Sequence, residues 1–232
     1  MIILMINSKQ LMEEELFLKL LTLIEERYQK KILRYHFWED RQRSLLGHLL
    51  SRYAIMQQYH LNNDDIKVVE NAYGKPHIKG YREIHYNISH SGDWVVCALS
   101  QSVIGIDIQK IEGMKFSIVE NCFTEDERKY LLSLGETQQL TAFYDIWTLK
   151  EAYVKAIGKG LSHPLNEFSI LKLGKDFKLF TKESLQKEYF FKKYSTEAGY
   201  SLSVCSREKN FCINLEELII DDLLKKFKIY HR

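Results

Sequence analysis

The sequence feature that most constrains the fold is an apolar helical stripe with three charged side chains set into it, at residues 146–158. The apolar residues are Ile146, Trp147, Tyr153, Val154 and Ile157. Their spacing predicts a helix with one face packed against a core. The charged residues are Lys150, Glu151 and Lys155, and the last two lie on one face because they are four residues apart. Taken alone, such a pair is typical of an ordinary helix surface.

Residues 103–110 form a second unusual segment, an apolar and mostly β-branched run that predicts a buried strand. Gly105 lies inside this strand, where glycine weakens the element unless a backbone or a ligand must come close. Asp107 interrupts the apolar run, although a buried and unpaired carboxylate is costly. The carboxylate either caps the following turn or is held at the strand end to bind a metal, and hard oxygen ligands of this kind suit Mg²⁺.

Together, the two segments resemble the signature of the 4'-phosphopantetheinyl transferases of the larger, surfactin-synthetase-activating type. That signature is a Gly-hydrophobic-Asp-hydrophobic-Glu strand, followed by Trp-Ser/Thr-x-Lys-Glu-Ala-x-x-Lys. The chain matches every position except one, where Gln109 replaces the glutamate. Tyr-Gly-Lys-Pro at residues 73–76 and Asn-Ile-Ser-His-Ser at residues 87–91 look like two further segments of the family. The resemblance covers about residues 27–168.

The resemblance implies an α+β fold with two similar α/β lobes related by a pseudo-twofold axis, and with coenzyme A between them. We expect residues 1–102 to form an N-terminal lobe with the nucleotide contacts, and residues 103–232 a C-terminal lobe with the metal and catalytic residues. A chain of 232 residues has room for two such lobes. Because no Pro- or Gly-rich linker is present, we expect the lobes to pack as one rigid body.

Local patterns predict the individual elements. Periodicity indicates helices at about residues 11–24 and 40–59, and Thr124 with Glu127 forms a capping box that opens another. Strands are expected near residues 2–7, 66–69, 94–99, 168–173, 177–180, 188–194 and 200–205.

The reaction implied by the resemblance moves the 4'-phosphopantetheine arm of coenzyme A to a serine of an apo acyl or peptidyl carrier protein, releasing adenosine 3',5'-bisphosphate. Asp107, Gln109 and Glu151 would hold Mg²⁺, with Mn²⁺ as an alternative ion. Glu151 would also accept the serine proton, directly or through water. Lys155 would meet the negative charge that develops at the reacting phosphate.

The residues expected to contact coenzyme A are Lys31, Arg34, Arg43, Ser44, Lys75, Ser89, His90, Lys150 and Lys155. For the basic run that contains Lys31 and Arg34, a solvated charged face is the competing interpretation. Ser44 could equally serve as a helix cap, and a histidine on a strand often has a purely structural role. Lys150 points about 100° away from Glu151 on a helix.

An apolar stretch at residues 111–123 resembles a loop and contains Gly113. Its large side chains either tuck under the lobe or form a hydrophobic contact surface. The resemblance implies that this region grips the second helix of the carrier protein. We therefore predict docking near Met114, Phe116 and Phe123.

The net charge and the composition argue against a nucleic-acid-binding, membrane-spanning or secreted protein. A net charge of +2 predicts no nucleic-acid partner, and no apolar run reaches a membrane-spanning length. The four cysteines lack metal-ligand or redox-pair spacing, which favours reduced thiols in a cytoplasmic protein. Residues 1–6 are too short for a signal peptide and are predicted to be a strand. We expect a cytoplasmic monomer.

Two other functions remain open from the sequence. A non-catalytic module that binds carrier protein or coenzyme A would result if Gln109 had disabled the metal site, although the retained Asp107, Glu151 and Lys155 argue against it. A nucleotide phosphohydrolase would keep the carboxylates and lysines but would need no apolar docking segment.

Overall fold

The structure, a computed structural model, describes residues 1–114, 116–182 and 184–229. Contacts divide the chain into two compact units. The first comprises Met1–Asn71, Pro76–Gln101 and the chain from Cys212 onward, and the second comprises Ala72–Lys75 and Ser102–Phe211. Each unit places a long helix against a sheet of mostly antiparallel strands, and the predicted α+β class is confirmed.

The helices are α1 Glu14–Leu21, α2 Glu26–Leu33, α3 Trp38–Tyr59, α4 Phe116–Cys122, α5 Glu125–Leu132, α6 Glu136–Ile157 and α7 Ile220–Lys226. The strands are β1 Ile2–Asn7, β2 Val68–Glu70, β3 Pro76–Ile78, β4 His85–Ser91, β5 Trp94–Ser100, β6 Ile104–Lys110, β7 Phe168–Leu173, β8 Asp176–Thr181, β9 Ser184–Gln186, β10 Phe190–Tyr194, β11 Tyr200–Ser206 and β12 Glu216–Leu218. Among the described helices, none is both long enough and apolar enough to cross a membrane.

The first unit is built on the sheet β12-β1-β5-β4, in which β5 runs antiparallel to both of its neighbours. The helix α3 packs across it through Leu45, Leu46, Leu49 and Leu50, which are fully buried. A Cβ atom on Gly47 would lie 2.8 Å from Cγ2 of Ile88 on β4, so glycine at this position lets the helix come close to the sheet. The helix predicted at residues 40–59 is therefore confirmed, with its start two residues earlier.

The C-terminal segment corrects the predicted division at residue 102. We expected residues 103–232 to form the second lobe, but β12 pairs in parallel with β1, with Glu216 opposite Leu4. Leu223 and Leu224 of α7 are buried in the core of the first unit. A three-residue strand and a short helix give too weak a local pattern to reveal a partner at the other end of the chain.

The second unit is built on the antiparallel sheet β10-β11-β6, with α6 packed against β6 and β11. A separate meander, β7-β8-β9, adjoins this arrangement through contacts of β7 with α6 and of β8 with β10. The predicted capping box is present, because the Thr124 hydroxyl accepts from the Glu127 N–H and the Glu127 carboxylate accepts from the Thr124 N–H. The helix α5 therefore begins where the sequence indicates.

The backbones of α6 and β6 come into close contact at Gly105. A Cβ atom there would lie 2.0 Å from the carbonyl oxygen of Ala152 and 2.4 Å from the amide nitrogen of Ala156. No side chain fits in that space, so the helix backbone rests directly on the strand backbone. The expectation of a close approach at this glycine is confirmed. The contact also fixes Asp107, two residues along the strand, relative to Glu151 and Lys155 on the helix.

The stretch expected to be a loop at residues 111–123 is partly helical. The helix α4 occupies Phe116–Cys122 and buries Val119. Val119 and Phe123 are one helical turn apart, and both join a cluster with Phe143 of α6. The segment is too short for its periodicity to be recognised from sequence, because it holds only two turns.

We expect Gly105→Ala to destabilise the protein by about 3 kcal/mol or more, since even one methyl group overpacks a contact between two backbones. The measurement is urea denaturation monitored by circular dichroism. Gly113→Ala is the matched control, because no atom lies within 4 Å of its added methyl group. Equal denaturation midpoints for the two variants would contradict the close packing of α6 on β6.

Candidate active site

Asp107 is the centre of the charged cluster in the second unit. Its carboxylate is only 2% exposed, and its Oδ1 accepts a hydrogen bond of 2.5 Å from the Lys155 ammonium. Its Oδ2 accepts a bond of 3.1 Å from the amide nitrogen of Gln109. Residues 107 and 109 lie on the same face of β6, as alternation along a strand requires. Both oxygens of Asp107 are engaged, so the orientation of the carboxylate is fixed.

Glu151 is the second carboxylate of this cluster, on the turn of α6 that precedes Lys155. Burial raises the pKa of its carboxyl group, the negative charge of Asp107 raises it further, and the positive charge of Lys155 opposes both. Two carboxylates therefore influence each other across the junction of β6 and α6, with one ammonium beside them. This arrangement can hold a cation and can accept a proton.

The donor set is small. Within the described residues, no group of three or more His, Cys, Asp or Glu side chains is clustered as a metal site. Two carboxylates and one amide nevertheless suit Mg²⁺, which keeps several waters and takes only one or two carboxylates when phosphate oxygens complete the octahedron. Gln109 turns its amide nitrogen towards Asp107, so in this conformation it orients that carboxylate.

The prediction that Lys150 contacts a phosphate is wrong. Its side chain is 0% exposed and forms an ion pair with the equally buried Glu127, at 2.6 Å. The ammonium also donates to the Phe168 carbonyl, at 2.6 Å. All three donors of the ammonium are therefore used inside the protein. Lys150 holds α6 against α5 and β7.

The prediction for Lys75 also needs correction. Its ammonium donates to the carbonyl oxygens of Lys155 and Ala156, both at 2.7 Å, and of Ile104, at 3.1 Å. Burial lowers the pKa of this amine to about 8. The side chain is directed at the end of α6 and the start of β6 and has no donor left for a phosphate.

The remaining predicted ligand contacts lie in the first unit. Arg43 on α3 donates to the Gly92 carbonyl, at 3.0 Å, and pairs with Asp40, at 2.8 Å. Ser44 follows it on α3 and is half-buried. On β4, Ser89 is buried and His90 is exposed. The hydrogen bond of Arg43 to the turn after β4 brings α3 and the Ser89–His90 strand end together, within one unit.

Lys31 and Arg34 are exposed at the C-terminal end of α2. Burial and the charge of Arg52 lower the pKa of His48 to about 4, and Lys31 is one of the smaller contributors. His48 lies on α3, the helix against which α2 packs. Lys31 and Arg34 are therefore at the end of a helix that packs against the helix of Arg43 and Ser44.

The predicted docking residues separate into exposed and buried ones. Phe116 is 67% exposed, as a contact residue should be, whereas Phe123 is 1% exposed. Phe123 stacks on Phe143 with the ring centroids 5.5 Å apart, and Met114 is half-buried against the same cluster. The prediction that Phe123 contacts the carrier protein is therefore wrong. Its side chain is tucked under the lobe, which was the other alternative. At Phe123, the apolar side chain that suggested a contact surface is part of the core.

Two networks of polar side chains were not predicted from the sequence. Glu127 was expected only as a capping residue, yet it also accepts from Lys150 and from the Ile170 N–H. A second network joins Asp145, Thr148, Lys193, Ser201 and Ser203 between α6 and the sheet. The sequence did contain a signal that Lys150 is buried. It lies four residues after Ile146, and therefore within the apolar stripe.

Two family models match the chain. A model described as the 4'-phosphopantetheinyl transferase superfamily matches residues 103–205, which include Asp107, Glu151 and Lys155. A model of the N-terminal region of 4'-phosphopantetheinyl transferase matches residues 12–102. The two matches adjoin and together span most of the chain.

Individual relatives give the same result over nearly full length. The 4'-phosphopantetheinyl transferase ffp of Bacillus subtilis is 35% identical over 89% of this chain and 92% of its own length. The 4'-phosphopantetheinyl transferase Sfp of Bacillus subtilis strain 168 is 34% identical over the same shares of the two chains. The 4'-phosphopantetheinyl transferase gsp of Aneurinibacillus migulanus is 38% identical over 79% of this chain and 76% of its own. With these similarities and the carboxylate and lysine cluster in place, this chain is a member of the 4'-phosphopantetheinyl transferase family.

Proposed function

We propose that this protein transfers the 4'-phosphopantetheine arm of coenzyme A to a serine hydroxyl of an apo carrier protein, of the acyl or peptidyl type. The observation that carries this proposal is the grouping of Asp107, Glu151 and Lys155 at the contact of β6 with α6. The names of its relatives state the group that they transfer. The by-product would be adenosine 3',5'-bisphosphate.

The step balances as a phosphoryl transfer. The serine oxygen forms a bond to the phosphorus next to the pantetheine arm, and the bond from that phosphorus to the bridging pyrophosphate oxygen breaks. The serine proton goes to a base, and Glu151 suits this role because its raised pKa makes it a stronger base than an ordinary carboxylate. The ammonium of Lys155 supplies fixed positive charge at the same place, which stabilises charge developing on phosphate oxygens.

The residues that would hold Mg²⁺, or Mn²⁺ in its place, are Asp107 and Glu151. A cation bound there would neutralise pyrophosphate charge. Gln109 brings no charge of its own, and its hydrogen bond to Asp107 keeps the carboxylate in one orientation. We propose that Gln109 acts on the metal mainly through Asp107.

For coenzyme A itself, we propose contacts by Lys31, Arg34, Arg43, Ser44, Ser89 and His90. The exposure of Lys31 and Arg34, and the link from Arg43 to the turn that follows His90, support this set. For the carrier protein, we propose contact by the exposed Phe116 and by the half-buried Met114. A large aromatic side chain that is mostly exposed is a typical anchor of a protein interface.

The deciding experiment is a mass measurement. The protein is incubated with coenzyme A, MgCl₂ and an apo carrier protein, and the carrier is then weighed intact. We expect a gain of one phosphopantetheine arm. Release of adenosine 3',5'-bisphosphate with an unmodified carrier would select a phosphohydrolase, and no change in either species would select a binding module.

Glu151→Gln is expected to reduce transfer by about 10²- to 10⁴-fold, the usual contribution of a general base. The same change should raise the melting temperature at pH 7. Folding raises the pKa of this carboxyl, so its ionised form destabilises the native state once the pH exceeds the folded pKa. Calorimetry at pH 7 and at pH 4 checks the sign, since the gain should shrink at the lower pH. A variant with normal turnover would remove Glu151 from the mechanism.

Phe116→Asp is expected to raise the KM for the carrier protein by about tenfold or more, because a charged group in an apolar contact must be desolvated. The KM for coenzyme A should not change. Leu132→Asp is the matched control, as its side chain is 71% exposed at the end of α5. Steady-state kinetics with each substrate varied separately gives the comparison. If both variants weaken carrier use equally, Phe116 has no specific role in docking.

A further inference from the structure

Lys75 lies in the turn between β2 and β3, and its four-residue segment Ala72–Lys75 packs with the second unit. Pro76 follows directly, and a proline restricts the backbone of the residue before it. Its ammonium reaches two successive carbonyls in the last turn of α6 and the first carbonyl of β6. One side chain therefore touches both elements that carry the charged cluster.

The end of a helix leaves carbonyl groups without partners inside the helix. In α6, the Gly158 N–H satisfies the Val154 carbonyl, and Gly158 ends the helix in the left-handed conformation at φ 68°. The next two carbonyls belong to Lys155 and Ala156, and these are the ones that Lys75 binds. A cation at this end of a helix is also favoured by the helix dipole. Lys75 thus completes the C-terminal cap from outside the helix.

The third hydrogen bond of Lys75 extends the cap to the sheet. Ile104 precedes Gly105, the residue at which the backbones of β6 and α6 touch. Gly105 permits the contact, and Lys75 joins the carbonyl groups on both sides of it. The position of Lys155 over Asp107 depends on this junction, because Lys155 lies in the capped turn and Asp107 lies two residues beyond Gly105.

We infer that Lys75 is a positioning residue for the transfer reaction: it fixes the last turn of α6 on β6 and so sets Lys155 against Asp107. It does not contact the reacting phosphates through its side chain, since its three donors are used on carbonyl groups. The kinetic part of this inference rests on the proposed transferase function. The structural part does not.

The test compares Lys75→Met, which keeps the aliphatic stem and removes every donor, with Lys79→Met as the matched control. Lys79 is exposed and follows β3, four residues further on. Hydrogen exchange read by mass spectrometry on the free protein should show the amides of residues 155–158 exchanging about tenfold faster in Lys75→Met. Residues 143–149 of the same helix serve as an internal reference and should not change, which separates a lost cap from general destabilisation.

Steady-state kinetics supplies a second readout. We expect Lys75→Met to lower kcat by about tenfold to a hundredfold, as for a small misplacement of a catalytic group, with KM for coenzyme A within about twofold of normal. Lys75→Gln retains two donors on a shorter side chain and should give intermediate values of both exchange and kcat. If Lys75→Met does not fold, the same two measurements are made on Lys75→Gln.

Two results would overturn the inference. One is unchanged exchange at residues 155–158 in both Lys75 variants. The other is a rise of about tenfold or more in KM for coenzyme A with kcat unaltered, which identifies a ligand contact. If the wild-type protein shows no transfer but Lys75→Met still loses protection at residues 155–158, the cap stands and the proposed function fails.

Discussion

The contact between Gly105 of β6 and the backbone of α6 is the constraint on which the second unit depends. Because no side chain separates the strand from the helix, their distance is set by main-chain atoms alone. Main-chain atoms in regular elements have little freedom compared with the long side chains around them. The relative placement of Asp107, Glu151 and Lys155 is therefore a property of the fold, which is the requirement for precise electrostatic stabilisation of a reaction.

The charged residues of α6 show how position on a helix decides the fate of a charge. Lys150 lies within the apolar stripe and is neutralised in the interior by Glu127. Glu151, the next residue, is turned by about 100° and faces Asp107, where burial and like charge raise its pKa. Lys150 thus has a packing role, whereas the raised pKa of the adjacent Glu151 carboxyl is a property that suits a functional group.

Local patterns predicted much of this molecule, and contacts with distant partners accounted for the failures. The strand at residues 168–173 and the capping box of Thr124 were found because the information lies within a few residues. Lys75 and Lys150 were assigned to a ligand through the family resemblance, and nothing near them in sequence reveals the carbonyls and the carboxylate that accept their hydrogen bonds. Phe123 was misjudged for the same reason, since its partner Phe143 lies on α6, outside the segment that contains Phe123.

The parallel pairing of β12 with β1 has a consequence for the order of folding. The strand β1 is synthesised before its partner β12, and the chain between the two strands includes the whole of the second unit. Until β12 arrives, one edge of an apolar strand stays unpaired, and such edges invite association with other chains. The second unit ends at Phe211, before β12, so its contacts can be completed earlier in synthesis than the sheet of the first unit.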